Sequence, residues 1–134
     1  MNKTLIPIKF FNTFYNGSNH PVSKKRFTMK DGMNCQSYVY KILKYFSINI
    51  PNLRSSELWD DIIYTKKIIK PRFLDIVLFN KNKDSYGAHI GLYLVKNKIL
   101  HLSKKVGYPT IWDLREFNKR KEYKHLIGYK RFTS

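Results

Sequence analysis

The sequence predicts an α+β fold in which an N-terminal helix carrying a cysteine packs on an antiparallel β-sheet. Three observations support this. Apolar residues recur at helical spacing between Cys35 and Phe46. Strand-like apolar runs follow at 73–79, 87–95 and 98–102. A short polar turn at Asn97 joins the last two of these as a hairpin.

Residues 1–30 read as irregular, with a turn at Asn16-Gly17 and a basic loop at Ser23-Lys24-Lys25-Arg26. Asp31-Gly32-Met33-Asn34 leads into the first helix, with Asn34 as its N-cap. Cys35, Tyr38, Val39, Ile42, Leu43 and Phe46 share one face, and the helix ends before Pro51. Ser55 to Ile62 reads as a short second helix with serine at its cap, and Pro71 marks a break. Phe73 to Phe79 is a buried strand interrupted by Asp75. After the polar turn Asn80–Tyr86, the next strand places His89, Gly91, Tyr93 and Val95 on one side. Lys98 to Leu102 returns antiparallel to it, and this pairing is able to bring His89 and His101 together, in a register the sequence leaves open. Ile111-Trp112 and Leu126–Phe132 are further strand segments flanking the charged stretch Leu114–Glu122.

A length of 134 residues suits one domain, and 43% hydrophobic with 16% aromatic residues suffices for a core. Lys+Arg outnumber Asp+Glu by 26 to 9, a formal charge of +17. Such a surface attracts anionic polymers, but the lysines are spread along the chain, so an evenly solvated surface is the competing reading. No run approaches the ~20 apolar residues of a membrane span. The N-terminus has no long apolar stretch or small-residue cleavage site, which argues against a Sec signal peptide. With a lone thiol, this favours a cytoplasmic location or export without such a signal.

Cys35 is the single cysteine. It cannot form an intrachain disulfide, so its use is packing or reactivity. In the first turn of a helix, unpaired N–H groups favour a thiolate, and a pKa lowered into the range of roughly 3.5–7.5 is expected. The same N–H groups suit an oxyanion. Cys35 followed by His89 and His101 is the raw material for a nucleophile with an imidazole base. Zinc would need three or four ligands at recognisable spacing, which one cysteine and scattered histidines do not supply. His20 and His125 lack motif context and read as surface residues. Asp75 reads as a strand-entry residue, and Trp59, Tyr93 and Trp112 as core or cleft-wall residues.

The ordered set Asn34-Cys35-Gln36-Ser37-Tyr38-Val39-Tyr40, Phe73-Leu74-Asp75-Ile76-Val77-Leu78-Phe79, Ala88-His89-Ile90-Gly91-Leu92-Tyr93 and Ile99-Leu100-His101 resembles the NlpC-like cysteine peptidases. These are papain-fold enzymes of bacterial cell-wall turnover. The resemblance spans roughly residues 30–132, leaving 1–30 as a divergent N-terminal segment of one domain. It implies Cys35 as nucleophile, His89 as general base and His101 as the residue orienting His89. The implied reaction is amide hydrolysis through an acyl-enzyme, in a peptidoglycan-derived stem peptide, with neither cofactor nor metal. The family usually shows Asp-Cys-Ser-Gly at the nucleophile, preceded by a Tyr-x-Trp-Gly-Gly type segment. Here the tetrad is Asn34-Cys35-Gln36-Ser37, and Lys24–Lys30 stands upstream. The family Asp helps hold the free amine of the substrate; Asn34 keeps the acceptor without the charge. Asn34, Gln36 and Ser37 are placed in substrate binding on this basis. The departures also admit a same-fold acyltransferase, deamidase or protein-directed toxin. The charge admits a non-catalytic nucleic-acid-binding domain, and an anionic polymer is a possible partner of the basic surface in any of these.

Overall fold

Asn34 decides where the first helix begins. In the computed structural model, which describes residues 5–133, its side chain accepts hydrogen bonds from the backbone N–H groups of Gln36 (3.1 Å) and Ser37 (2.9 Å). Two of the helix's orphan donors are thereby satisfied. Helix α1 spans Cys35–Tyr45 and buries Tyr38, Val39, Ile42 and Leu43, the face expected from their spacing. Helix α2 is short, Ser55–Asp60, and its cap position is Arg54 rather than the serine anticipated. Glu57 closes this end by accepting from the Arg54 N–H at 2.8 Å.

Six antiparallel strands follow: β1 (Thr65–Ile68), β2 (Ile76–Asn80), β3 (His89–Tyr93), β4 (Lys98–Leu102), β5 (Pro109–Asp113) and β6 (His125–Phe132). The order across the sheet is β1-β6-β2-β3-β4-β5. The charged stretch after β5 contains a third helix, α3 (Leu114–Asn118), capped by the Asp113 side chain. Lys96 and Asn97 both take positive φ in the β3–β4 turn. This is the backbone that a two-residue hairpin connection requires.

Alternation splits the sheet between two cores. Ile76, Leu78, Ile90, Leu92, Leu100 and Leu102 pack with α1. Val77, Phe79, Tyr93 and Ile99 pack with Phe117 and Tyr123 on the other side. Residues 1–30 were expected to be irregular, and the described part is held by single contacts. Ile6 and Phe10 are buried in the α1 core, the Tyr38 hydroxyl donates to the Phe10 carbonyl at 2.7 Å, and Tyr15 bridges to Met33 just ahead of α1. Asp75, 2% exposed, receives a two-pronged bond from Arg131 at 2.9 and 2.8 Å and also accepts from the Arg72 N–H. It pins the entry of β2 to β6. No helix among the described residues is long and apolar enough to cross a membrane.

Candidate active site

The β3–β4 register sets the histidine geometry. Leu92 faces Leu100 and Tyr93 faces Ile99, so continuing the ladder brings Gly91 opposite His101. His89 and Gly91 lie on the same face, two residues apart, which makes His89 the diagonal neighbour of His101. His89 Nε2 and His101 Nδ1 are 2.8 Å apart, and the rings are nearly perpendicular at 83°. Gly91 leaves the space that this requires. A Cβ there would stand 2.6 Å from Ile99 Cγ2 and 3.6 Å from His101 Cβ.

His101 is fully buried in an aromatic cage, with ring centroids 4.4 Å from Trp112 and 4.7 Å from Phe117. Its Nε2 is buried with no hydrogen-bond partner. Tyr123 stacks on His89 at 4.6 Å and 27°. Burial disfavours the imidazolium in both rings. It holds His89 down to about 4; His101 falls to about 2 through burial first, then the neighbouring His89 and Arg120 charges.

Cys35 is half-buried and opens with His89 onto one groove of about 900 Å³. Tyr15, Tyr123 and the 80–88 loop form other walls, with Lys81, Lys104 and Lys105 and the acids Asp84 and Glu122 also on its lining. The thiol is pushed up by burial, against the opposing pull of the Ile90 N–H, the Arg54 charge and the N–H groups of Gln36 and Cys35. This corrects the expectation of a lowered pKa. The helix N-terminus does face the sulfur, but the Ser37 N–H is spent on Asn34, the Gln36 N–H is shared with it, and desolvation outweighs the rest.

The residues assigned to substrate binding lie elsewhere than the groove of Cys35 and His89. Asn34 is the helix cap. Gln36 is buried, and its amide donates to the Leu53 carbonyl and to the Tyr40 hydroxyl. Ser37 lies along a second groove. The segment Lys24–Lys30, read as standing upstream of the nucleophile, also borders that second groove through Lys24 to Thr28. It is Tyr15 that reaches Cys35, because the Phe14 carbonyl and the Asn16 N–H pair with Met33 at 3.0 Å each. Its position ahead of the Asn16-Gly17 turn was the available signal. Arg54 and Tyr123 carried none, since their closeness to Cys35 comes from loop paths. His20, expected at the surface, is half-buried, with Nδ1 enclosed and unpartnered; His125 lies in β6. Among the described residues no group of three or more His, Cys, Asp or Glu side chains is placed to hold a metal.

An α+β core with a cysteine opening the packed helix, and a histidine pair on the facing sheet, defines a papain-like class. The chain belongs to the NlpC/P60 family, whose model matches residues 15–131. The match begins well before the residue-30 boundary of the sequence resemblance and takes in Tyr15. Two solved structures share the fold. One, described as similar to a lipoprotein of the NLP/P60 family from Staphylococcus aureus, has a TM-score of 0.63 at 20% identity over 92% of this chain. This chain spans only 38% of that protein's length. The other is the NlpC/p60 domain of the peptidoglycan hydrolase SagA, with a TM-score of 0.55 at 12% identity, covering 81% of this chain and 84% of that domain. A search of curated proteins finds no match.

Proposed function

We propose that the protein is a cysteine hydrolase that cleaves an amide bond in a peptidoglycan-derived stem peptide. The observation that carries the reading is the 2.8 Å contact between His89 Nε2 and His101 Nδ1 beside the groove that Cys35 shares. One proton fits between those nitrogens. With that proton on His89 Nε2, His101 Nδ1 accepts, and His89 Nδ1 keeps a free lone pair. His89 is then the base and His101 its orienter, holding the productive tautomer.

In the resting site the thiol and imidazole are both neutral. As Cys35 Sγ attacks the substrate carbonyl, its proton passes to His89 Nδ1, and the new imidazolium strengthens its bond to His101. The tetrahedral oxyanion is met by the Cys35 N–H at the start of α1, with the Tyr15 hydroxyl as a further donor. His89 then gives the proton to the leaving amine. A thioester remains on Cys35, and water activated by His89 hydrolyses it. Lys81 and Lys104 on the groove lining suit the carboxylates of a stem peptide, and Asp84 suits its amine. The Asn34 oxygen caps the helix, and without the aspartate's charge it offers the substrate amine no ion pair.

Turnover of purified stem peptides by wild type and Cys35→Ala tests this. The variant should keep the fold and lose all turnover; retained turnover would defeat the mechanism. Cleavage of protein or acyl-thioester substrates with stem peptides left intact would overturn the substrate assignment.

A further inference from the structure

We infer that the groove between residues 21–28 and the outer side of α1 is a second binding site, for a linear phosphodiester chain with small neutral linkers and no bases. This goes beyond the catalytic reading and does not depend on it.

The groove has a volume of about 760 Å³, and none of its lining residues lines the groove of Cys35 and His89. One wall carries Lys24, Lys25 and Arg26 in succession; the other carries Lys41 and Lys44 of α1. Lys41 and Lys44, three residues apart on the helix, project to the same side. Among the described residues the carboxylate-paired cations are Lys98, Lys105, Arg115, Arg120 and Arg131, all in the second half of the chain. The five cations of this groove have no such partner. Its single lining acid, Asp31, already accepts from the Thr28 N–H at 2.9 Å. Five unpaired positive charges facing one another across a groove repel unless an anion lies between them.

A second observation is independent of charge. Ser37 lies along the same groove and is 4% exposed, and its hydroxyl has no hydrogen-bond partner. A buried hydroxyl left unpaired is a cost that a ligand oxygen relieves after a small side-chain shift. The spread of cations along two walls suits a chain of charges rather than a single anion. The aromatic residues argue against bases or sugar rings. The Lys41 ammonium covers the Phe27 ring at 5.3 Å, so that ring offers no bare face of the kind on which single-stranded nucleic acids stack.

The test is fluorescence anisotropy with a labelled glycerol-phosphate hexamer, at low and moderate salt, with a six-nucleotide single-stranded DNA and inorganic phosphate as competitors. Three variants are compared: Lys24→Gln/Lys25→Gln/Arg26→Gln, Lys41→Gln/Lys44→Gln, and the control Lys66→Gln/Lys70→Gln/Lys124→Gln. The two groove variants alter opposite walls, so each checks the other should one fold poorly. Wild type should bind the hexamer, more weakly as salt rises. Either groove variant should lose about tenfold or more in affinity, against less than about twofold for the control, as expected for lost phosphate contacts. Inorganic phosphate should compete poorly. The site is overturned if wild type does not bind at low salt, or if the control loses as much as the groove variants. The choice of occupant is overturned if the DNA competes better than the unlabelled hexamer.

Discussion

His89 Nε2 lies 2.8 Å from His101 Nδ1, and the far nitrogen of His101 is buried without a partner. The pair therefore has a direction. The caged ring of His101 meets aromatic faces on its outer side, while His89 borders the open groove. Of the two, His89 alone lines the groove, which suits it to the proton transfers of the proposed reaction.

Replacing His101 separates orientation from packing. His101→Phe should fit the cage of Trp112 and Phe117 but leave His89 Nε2–H without an acceptor. Turnover of stem peptide should fall by about 10²-fold or more, the scale of general acid–base catalysis. His101→Gln, which offers an oxygen to His89, should recover part of the loss. Equal activity of His101→Phe and wild type would remove the orienting role.

The histidines also make stability depend on pH. Both pKa values lie below the ordinary 6.5 in the folded protein, at about 4 and about 2, so the unfolded chain binds more protons in acid. The stability tied to this difference is fully present above pH 6.5. It is lost as pH falls toward 4 for His89, and further toward 2 for His101. His89 alone accounts for on the order of 3 kcal/mol over that interval. Thermal midpoints between pH 7.5 and 4 should drop more steeply for wild type than for His89→Phe; parallel curves would refute the linkage.

The Asn34 carboxamide oxygen caps helix α1. Asn34→Ala should cost about 1 kcal/mol in chemical denaturation, the usual effect of losing a cap, whereas Asn34→Asp should stay within about 0.5 kcal/mol of wild type. The aspartate should also raise the Cys35 pKa further by its negative charge. The pH dependence of iodoacetamide reaction reads that shift, and an unchanged profile in Asn34→Asp would contradict it.

Gly91→Ala should be destabilising by about 1–3 kcal/mol, because the added methyl overlaps Ile99. The strain would fall on the β3–β4 pairing that sets the histidine contact, so turnover should fall as well. In Gly91→Ala/Ile99→Ala the two effects should be less than additive. Simple additivity in urea melts would show that the methyl is accommodated elsewhere.

Removing one side of the Asp75–Arg131 pair should be severe for folding and mild for chemistry. Asp75→Ala leaves the Arg131 guanidinium, itself largely enclosed, unpaired and should cost about 3–5 kcal/mol. Neither residue lines the groove, so turnover per folded molecule in the cold should change little. A specific loss of turnover in fully folded protein would give Asp75 the catalytic part denied it here.

How much was legible in the sequence depended on which elements carry their own pattern. Helix α1 could be located because Asn34 caps it and its apolar residues repeat without interruption. The β3–β4 hairpin was legible from alternation and the Asn97 turn. Strand β1 was not, because Thr65-Lys66-Lys67-Ile68 exposes both lysines and becomes a strand only through pairing with β6. The part played by residues before 30 was hidden for a similar reason. Phe10 and Tyr15 are anchored by isolated long-range bonds that leave no periodic trace. The neutral thiol was missed because a helix start announces its dipole in sequence, whereas the enclosure that opposes it arises from β3 and the loops.

The position of β6 has a consequence in time. The last strand along the chain lies between β1 and β2, pairing with both. While the chain is being synthesised, those two strands have no neighbour on that side until residues 125–132 are made. The β1 side of the sheet must therefore close late, by contacts between segments far apart along the chain, which slows folding relative to a meander of the same size. Lys66 and Lys67 on β1 are exposed charges of the kind that discourages a foreign strand from pairing with an edge.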